Sequence, residues 1–268
     1  MKQSFYRLFI ELTNGKITSG LLKRFARSNA SRLFVPSFCK AYQINQDEME
    51  KTLAEYPTLH DFFTRSLKQG VRYIDQDPYT IVSPVDAVIE DIGLIKPGHI
   101  ITVKEKDYSI REMIGNDEKL DSYTDGCYMI FYLSPSHYHR IHSPVTGRVL
   151  DQWTLGQKSY PVNKYGLKYG KAALSKNYRT ITEVEHITGK LSIVKVGAMF
   201  VNSIEVIHNG DQLAKGDEMA YFSFGSTVVL LFEKNSFTPL TTIQTPYDIK
   251  VGERVGHINH DKNINQQN

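Results

Sequence analysis

From about residue 80 onward the chain is written in short apolar runs broken by Gly and Pro, and this punctuation constrains the fold more than any other feature. The runs are Val85–Ile92, Ile100–Val103, Tyr128–Leu133, Gly147–Leu155, Leu191–Val196, Phe200–Ile207, Met219–Phe224 and Thr227–Glu233. Each has strand length, and several are rich in the β-branched and aromatic residues that suit a pleated surface. The expected architecture is therefore α+β. A mostly β body, sandwich- or barrel-like, occupies 76–257 behind an N-terminal amphipathic helical region, 1–75, and a polar tail, 258–268, reads as disordered. No run approaches the ~18 residues a membrane-spanning helix needs. The N-terminus also lacks the apolar stretch and small-residue cleavage site of a secretory signal.

A weak internal repeat reinforces the β reading. Ser83-Pro-Val-Asp-Ala-Val-Ile-Glu-Asp is echoed by Ser143-Pro-Val-Thr-Gly-Arg-Val-Leu-Asp, and Lys215-Gly-Asp-Glu-Met-Ala-Tyr-Phe by Val251-Gly-Glu-Arg-Val-Gly-His-Ile. Sharp turns at Pro and Gly leading into strands resemble those of hammerhead- and lipoyl-like folds.

Charge is uneven. The net charge is +3, yet residues 1–42 hold eight Lys or Arg and one acid, Glu11, giving +7 there and −4 over the rest. Phe5, Leu8, Phe9 and Leu12, then Leu21, Leu22 and Phe25, recur at helical spacing opposite these cations, in two stretches broken at Asn14-Gly15 and Gly20. Such a pattern suits either an interfacial membrane helix or a helical hairpin packed on the body with its charges solvated. No nucleic-acid-binding signature accompanies it, so no nucleic-acid partner is expected. Two cysteines, Cys39 and Cys127, exclude a disulfide framework and a Cys-rich zinc module.

Three features could carry chemistry. His137-Tyr-His139-Arg-Ile-His142 places three histidines within six residues. No regular element puts all three on one face, so the pattern favours a general base over a metal site. Phe224-Gly225-Ser226-Thr227 interrupts an apolar run. The step is either a plain bulge or a hydroxyl held against a strained carbonyl, and it is not a Gly-x-Ser-x-Gly elbow. Asp86, in Ser83-Pro-Val-Asp86, is either a turn cap or a carboxylate that orients a histidine. A zinc hydrolase using His137 and His139, or a non-enzymatic lipid-binding module with an inert Gly-Ser bulge, remain alternatives on the residues alone.

Ser83-Pro-Val-Asp86, Tyr132-Leu-Ser-Pro-x-x-Tyr138-His139-Arg-x-His142-x-Pro144, Val196-Gly-Ala and Phe224-Gly-Ser-Thr227 follow one another here in an order that, over nearly the whole chain, resembles the pyruvoyl-dependent phosphatidylserine decarboxylase proenzymes of prokaryotic type. Two positions depart from the family pattern: Phe224 replaces the usual Leu, and Ala87 replaces a Gly that matters only if the position needs a positive φ. The resemblance implies self-cleavage between Gly225 and Ser226 by an Asp86, His142 and Ser226 relay. The products are a β chain, 1–225, and an α chain, 226–268, capped by a pyruvoyl group made from Ser226. That group forms a Schiff base with the substrate amine in place of a metal or pyridoxal phosphate. It also implies His139 as the candidate proton donor in decarboxylation, with Tyr132 as a neighbour. The implied partner is phosphatidylserine in an anionic membrane, met by a peripheral enzyme on the cytoplasmic face of the cell membrane. An α/β heterodimer is expected, and a homodimer of that unit is left open.

Overall fold

The computed structural model describes residues 16–103, 105–157, 160, 162, 172–198, 204–223 and 226–259. The strands are β1 (Thr80–Val82), β2 (Ala87–Leu94), β3 (Ile100–Val103), β4 (Lys106–Ser109), β5 (Cys127–Leu133), β6 (Arg140–His142), β7 (Gly147–Leu155), β8 (Arg179–His186), β9 (Gly189–Gly197), β10 (Ile204–Val206), β11 (Gln212–Leu213), β12 (Glu218–Phe222), β13 (Ser226–Phe232), β14 (Phe237–Pro239), β15 (Tyr247–Ile249) and β16 (Arg254–Ile258). Eight of them form one sheet in the order β11-β7-β8-β9-β13-β5-β2-β15. Two three-stranded sheets, β1-β16-β14 and β10-β12-β6, and the β3-β4 hairpin complete the body. Among the described residues every sheet is open, and the body is mostly β.

The large sheet is buried on both faces at its centre, which is why β5, β9 and β13 read as continuous apolar runs rather than alternating ones. Phe131, Ile193, Val228 and Leu230 belong to one core, and Ile130, Val194, Val229 and Leu231 to the other, which the helix Ile110–Ile114 covers. β8 is a central strand that the apolar-run reading passes over, because Thr180, Thr182, Glu183 and Glu185 interrupt it. Glu183 is tolerated inside because Lys119 Nζ (2.5 Å) and the Tyr123 hydroxyl (3.1 Å) donate to its carboxylate.

The internal repeat is real and two-fold in character. The Ser83 hydroxyl donates to Val85 O (2.6 Å), and the Ser143 hydroxyl donates to Val145 O (2.7 Å). The strands that follow, β2 and β7, bulge at corresponding positions, between Ile89 and Asp91 and between Val149 and Asp151. Each Ser also exchanges backbone bonds with a Gly-acid turn: Ser83 with Gly252 and Glu253, Ser143 with Gly216 and Asp217. Gly252 (φ 87°) and Gly216 (φ 90°) both need the left-handed backbone that glycine adopts at little cost. The halves cross reciprocally, His142 N to Pro84 O and Val82 N to Pro144 O. Ala87 has no positive φ and lies in β2 paired with Ile249, so the departure at this position meets no backbone obstacle.

Among the described N-terminal residues, helices span Lys16–Ala26, Val35–Ala41 and Leu59–Phe63, with 3-10 turns Asn29–Phe34 and Leu53–Glu55. The first helix runs through Gly20, where a break was expected. Gly20 is exposed with open space around it, and the ~1 kcal/mol propensity cost of one glycine does not end a helix. The third begins at an N-cap, with Thr58 Oγ1 accepting from Asp61 N (3.1 Å). Val35, Cys39, Ile44, Met49, Tyr56 and Phe62 form a separate small core beneath these helices. Residues 1–15 and 260–268, on which the first amphipathic stretch and most of the tail fall, lie outside the described residues, as do Phe200, Phe224 and Gly225.

Candidate active site

Ser226 opens β13, the innermost strand, between Leu133 of β5 and Gly197 of β9. It is fully buried, and among the described residues its Oγ has no hydrogen-bond partner. A buried hydroxyl left unbonded costs on the order of 1–3 kcal/mol, so such an atom marks a place where packing has been arranged for something other than stability. Leu133 ends β5 opposite Ser226, and the chain then turns through 134–139 into β6. The histidine cluster therefore begins beside the Ser226 end of the sheet.

His142, at the end of β6, has Nδ1 2.7 Å from Gly216 O. A carbonyl only accepts, so the proton sits on Nδ1 and Nε2 keeps its lone pair. The Tyr138 hydroxyl lies 3.2 Å from that Nε2 and 3.1 Å from Glu218 Oε1, with one hydrogen to share between them. Burial lowers the pKa of His142, partly offset by the Gly216 carbonyl and by the charges of Glu218 and Asp86. The imidazole is thus a neutral base at physiological pH.

Asp86 is also buried, at the turn into β2. Its carboxylate accepts from Arg72 Nε (2.9 Å), Arg72 Nη2 (2.5 Å) and the amide of Val251 (2.9 Å). Arg72 also donates to Glu48 (2.7 Å). Burial alone would lower the pKa of Arg72, but the two carboxylates hold it above its ordinary value. No hydrogen bond among the described residues joins Asp86 to His142. Sequence reasoning gave Asp86 the task of fixing the imidazole tautomer, and here Gly216 does so. Asp86 reaches His142 through its charge. In the other half of the repeat Thr146 stands where Asp86 stands, its hydroxyl accepting from Lys215 N (3.1 Å) as Asp86 accepts from Val251 N.

His139 is fully buried and packs on Phe63 with ring centroids 3.9 Å apart. Neither ring nitrogen has a partner among the described residues. Burial, reinforced by the charges of Arg65 and His137, holds its pKa well below the usual value. His137 is tied into its own turn, with Nδ1 accepting from Ser134 N (3.0 Å). Among the described residues no three His, Cys, Asp or Glu side chains form a group able to hold a metal ion. Tyr132 is half-buried in β5 opposite Thr227, one residue beyond Ser226 and on the other face of the sheet.

The family model described as phosphatidylserine decarboxylase matches residues 59–257. The chain belongs to the phosphatidylserine decarboxylase family. It is similar to the phosphatidylserine decarboxylase proenzymes of Geobacillus kaustophilus (60% identical, 96% of this chain and 97% of that protein), Anoxybacillus flavithermus (58%, 96% and 97%) and Bacillus thuringiensis (54%, 95% and 97%).

As a member of the phosphatidylserine decarboxylase family the chain is an enzyme, a lyase, and its homologues are proenzymes. Several residues of the site escaped sequence reasoning. Arg65 and Glu218 lie more than seventy residues from the groups they serve, Arg72 lies 14 residues before Asp86, and nothing local marks any of them. Gly216 acts through its carbonyl, which carries no sequence signal. Tyr138 was visible within Tyr-His-Arg, but its link to His142 and Glu218 depends on β6 pairing with β12.

Proposed function

We propose that this chain cleaves itself at Gly225-Ser226 and then decarboxylates phosphatidylserine to phosphatidylethanolamine and carbon dioxide. The observation that carries the reading is the buried Oγ of Ser226 at the head of β13, which has no partner among the described residues. An orphaned hydroxyl at this point fits the group the family makes from serine. His142 takes the Ser226 hydroxyl proton at Nε2, which keeps its lone pair because Nδ1 is committed to Gly216, the Tyr138 hydrogen turning to Glu218. The oxygen adds to the Gly225 carbonyl carbon, the C–N bond breaks, and the proton passes to the nitrogen, giving an ester. Loss of the Ser226 α-proton expels the Gly225 carboxylate, and addition of water to the dehydro residue releases ammonia. Asp86 supports the positive imidazole at a distance by its charge.

Once formed, the pyruvoyl carbonyl supplies an electrophile for the substrate amine and an acceptor for the electrons left as carbon dioxide departs. His139, neutral and enclosed, would relay a proton to the carbon that loses the carboxylate, giving up its ring N–H as the other ring nitrogen takes a proton from water. Phe63, packed on the His139 ring, walls the reaction off from water. The helical region docks peripherally on an anionic bilayer. Leu21, Phe25, Leu33 and Phe34 are exposed beside Lys23, Arg24 and Arg32, and no described helix is long and apolar enough to cross a membrane.

Denaturing intact-mass spectrometry tests the reading directly. Two chains dividing at 225/226, the smaller lacking its α-amino nitrogen, are expected, with Ser226→Ala remaining whole. Phosphatidylethanolamine should form from phosphatidylserine vesicles only after the split. A folded, uncleaved, inactive wild-type chain overturns the proposal.

A further inference from the structure

A pocket of about 320 Å³ opens between the helical region and the body, lined by Lys51, Tyr56, Arg65 and Arg140, with Glu50 and Asp61 among its walls. Of its cations, Arg140 is neutralised by Glu218 (2.6 Å) and Lys51 is exposed. Arg65 differs from both. Its residue is 4% exposed, yet no carboxylate is bonded to it among the described residues. Nη2 donates to the carbonyls of Ser136 and His137 (3.1 Å each), while Nε and Nη1 are buried with no partner among the described residues. The guanidinium otherwise rests on the face of Phe62, 5.5 Å from the ring centroid. A buried cation with two idle donors is expensive to maintain unless an anion completes it.

We propose that Arg65 is the anchor of a phosphate subsite, which holds the phosphodiester of the lipid headgroup while the serine moiety reaches the Ser226 end of the sheet. The inference rests on the decarboxylase reading above. Geometry ties the subsite to the chemistry: Arg65 grips the carbonyl of His137, two residues before His139, and Phe63, two residues before Arg65, packs on the His139 ring. It also ties the subsite to the bilayer. Arg32 donates to Ala54 O (2.8 Å), joining the segment that carries exposed Leu33 and Phe34 to the turn leading into Tyr56. A free phosphate shares the ligand chemistry, but it has no use for a mouth beside an apolar, basic surface.

The test compares glycerophosphoserine, which has the phosphodiester and no acyl chains, with free serine, which lacks the phosphate. For mature Arg65→Gln the KM for glycerophosphoserine should rise roughly ten- to a hundredfold, with Arg65→Lys between it and wild type. Reductive trapping of free serine by cyanoborohydride should proceed as in wild type. Equal losses with both compounds would mean that Arg65 only braces the histidine turn, and no loss with either would mean that no subsite exists. Both results overturn the proposal. If Arg65→Gln fails to mature, wild type decides. Inorganic phosphate should compete with glycerophosphoserine and leave serine trapping unchanged. Phosphate that changes kcat alone points to a separate effector and overturns the headgroup assignment, as does phosphate with no effect. Failure of the decarboxylase reading itself is seen separately, as a wild-type chain that never splits.

Discussion

Buried titratable side chains dominate the behaviour expected at the residue scale. Burial depresses His60, His137, His139 and His142 below the ordinary histidine value of 6.5. In the unfolded chain these groups take up protons as pH falls through 6.5, while the folded protein resists until the lower folded values. Their contribution to stability is therefore complete above 6.5 and is lost progressively as pH falls toward the folded values. Urea midpoints should fall between about pH 7.5 and 5.5, and His139→Gln should flatten part of that slope. A midpoint unchanged over the window would contradict the assignment. Lys195 makes a second case. It is fully buried in β9, with Nζ donating to Thr182 Oγ1 (2.5 Å), and burial pulls its pKa from 10.5 down to about 7. Its cost is absent above 10.5, where both states are neutral, and grows as pH falls to about 7. Lys195→Met should stabilise the protein by about 2 kcal/mol near neutrality, and the gain in thermal midpoint should shrink toward pH 10. Asp86 is different again, since its charge is paired. Asp86→Asn should cost about 3 kcal/mol by loosening the buried Arg72 as well as slowing maturation, and a denaturation curve beside a cleavage time course separates the two effects.

β13 explains at the element scale why a cut chain should hold together. It is hydrogen-bonded along seven residues to β5 on one side and to β9 on the other, and Val228, Leu230 and Phe232 fill the core. The 43-residue fragment 226–268 should therefore stay with 1–225 in gel filtration without denaturant. Leu230→Ala, expected to cost about 3 kcal/mol, should lower the urea concentration at which the fragments part. Separation of wild-type fragments in plain buffer would refute this. The elements also show where local pattern misleads. β8 was invisible because buried Glu183 and Thr182 look like surface residues until Lys119, Tyr123 and Lys195 are seen against them. Gly20 looked like a stop, yet a helix with neighbours on both sides accommodates one exposed glycine.

The two-fold repeat organises the molecule as a whole, and the chemistry sits where its halves differ. Asp86 answers to Thr146, and His142 N–H and Val82 N–H bond across to reciprocal carbonyls, yet only one half carries the histidine. The helical region is stapled over this asymmetric side through Arg65, Arg72 and Thr64 O, the last accepting from Arg140 Nε (3.0 Å). Its outer surface exposes Leu33 (83%) and Phe34 (51%). Replacing both with Asp should weaken sedimentation with anionic vesicles several-fold, given about 25 cal/mol per Å² of apolar area, while self-cleavage proceeds at the wild-type rate. Vesicle binding equal to wild type would remove these residues from the docking surface.

Sequence alone determined the strand-rich body, the repeat at Ser83 and Ser143, and the family motifs around Asp86, His142 and Ser226, because each is written in neighbouring residues. Periodicity, turn chemistry and motif spacing act over a few positions and can be read there. Tertiary structure decided which groups meet. Gly216 rather than Asp86 sets the His142 tautomer, Arg72 holds Asp86, and Arg65 stands over the histidine turn with two donors idle. Gly216 and Arg65 come from segments more than seventy residues from the groups they meet, and Arg72 from 14 residues before Asp86. Their energies depend on burial, which no local pattern encodes, so only the assembled sheet-and-helix packing reveals them.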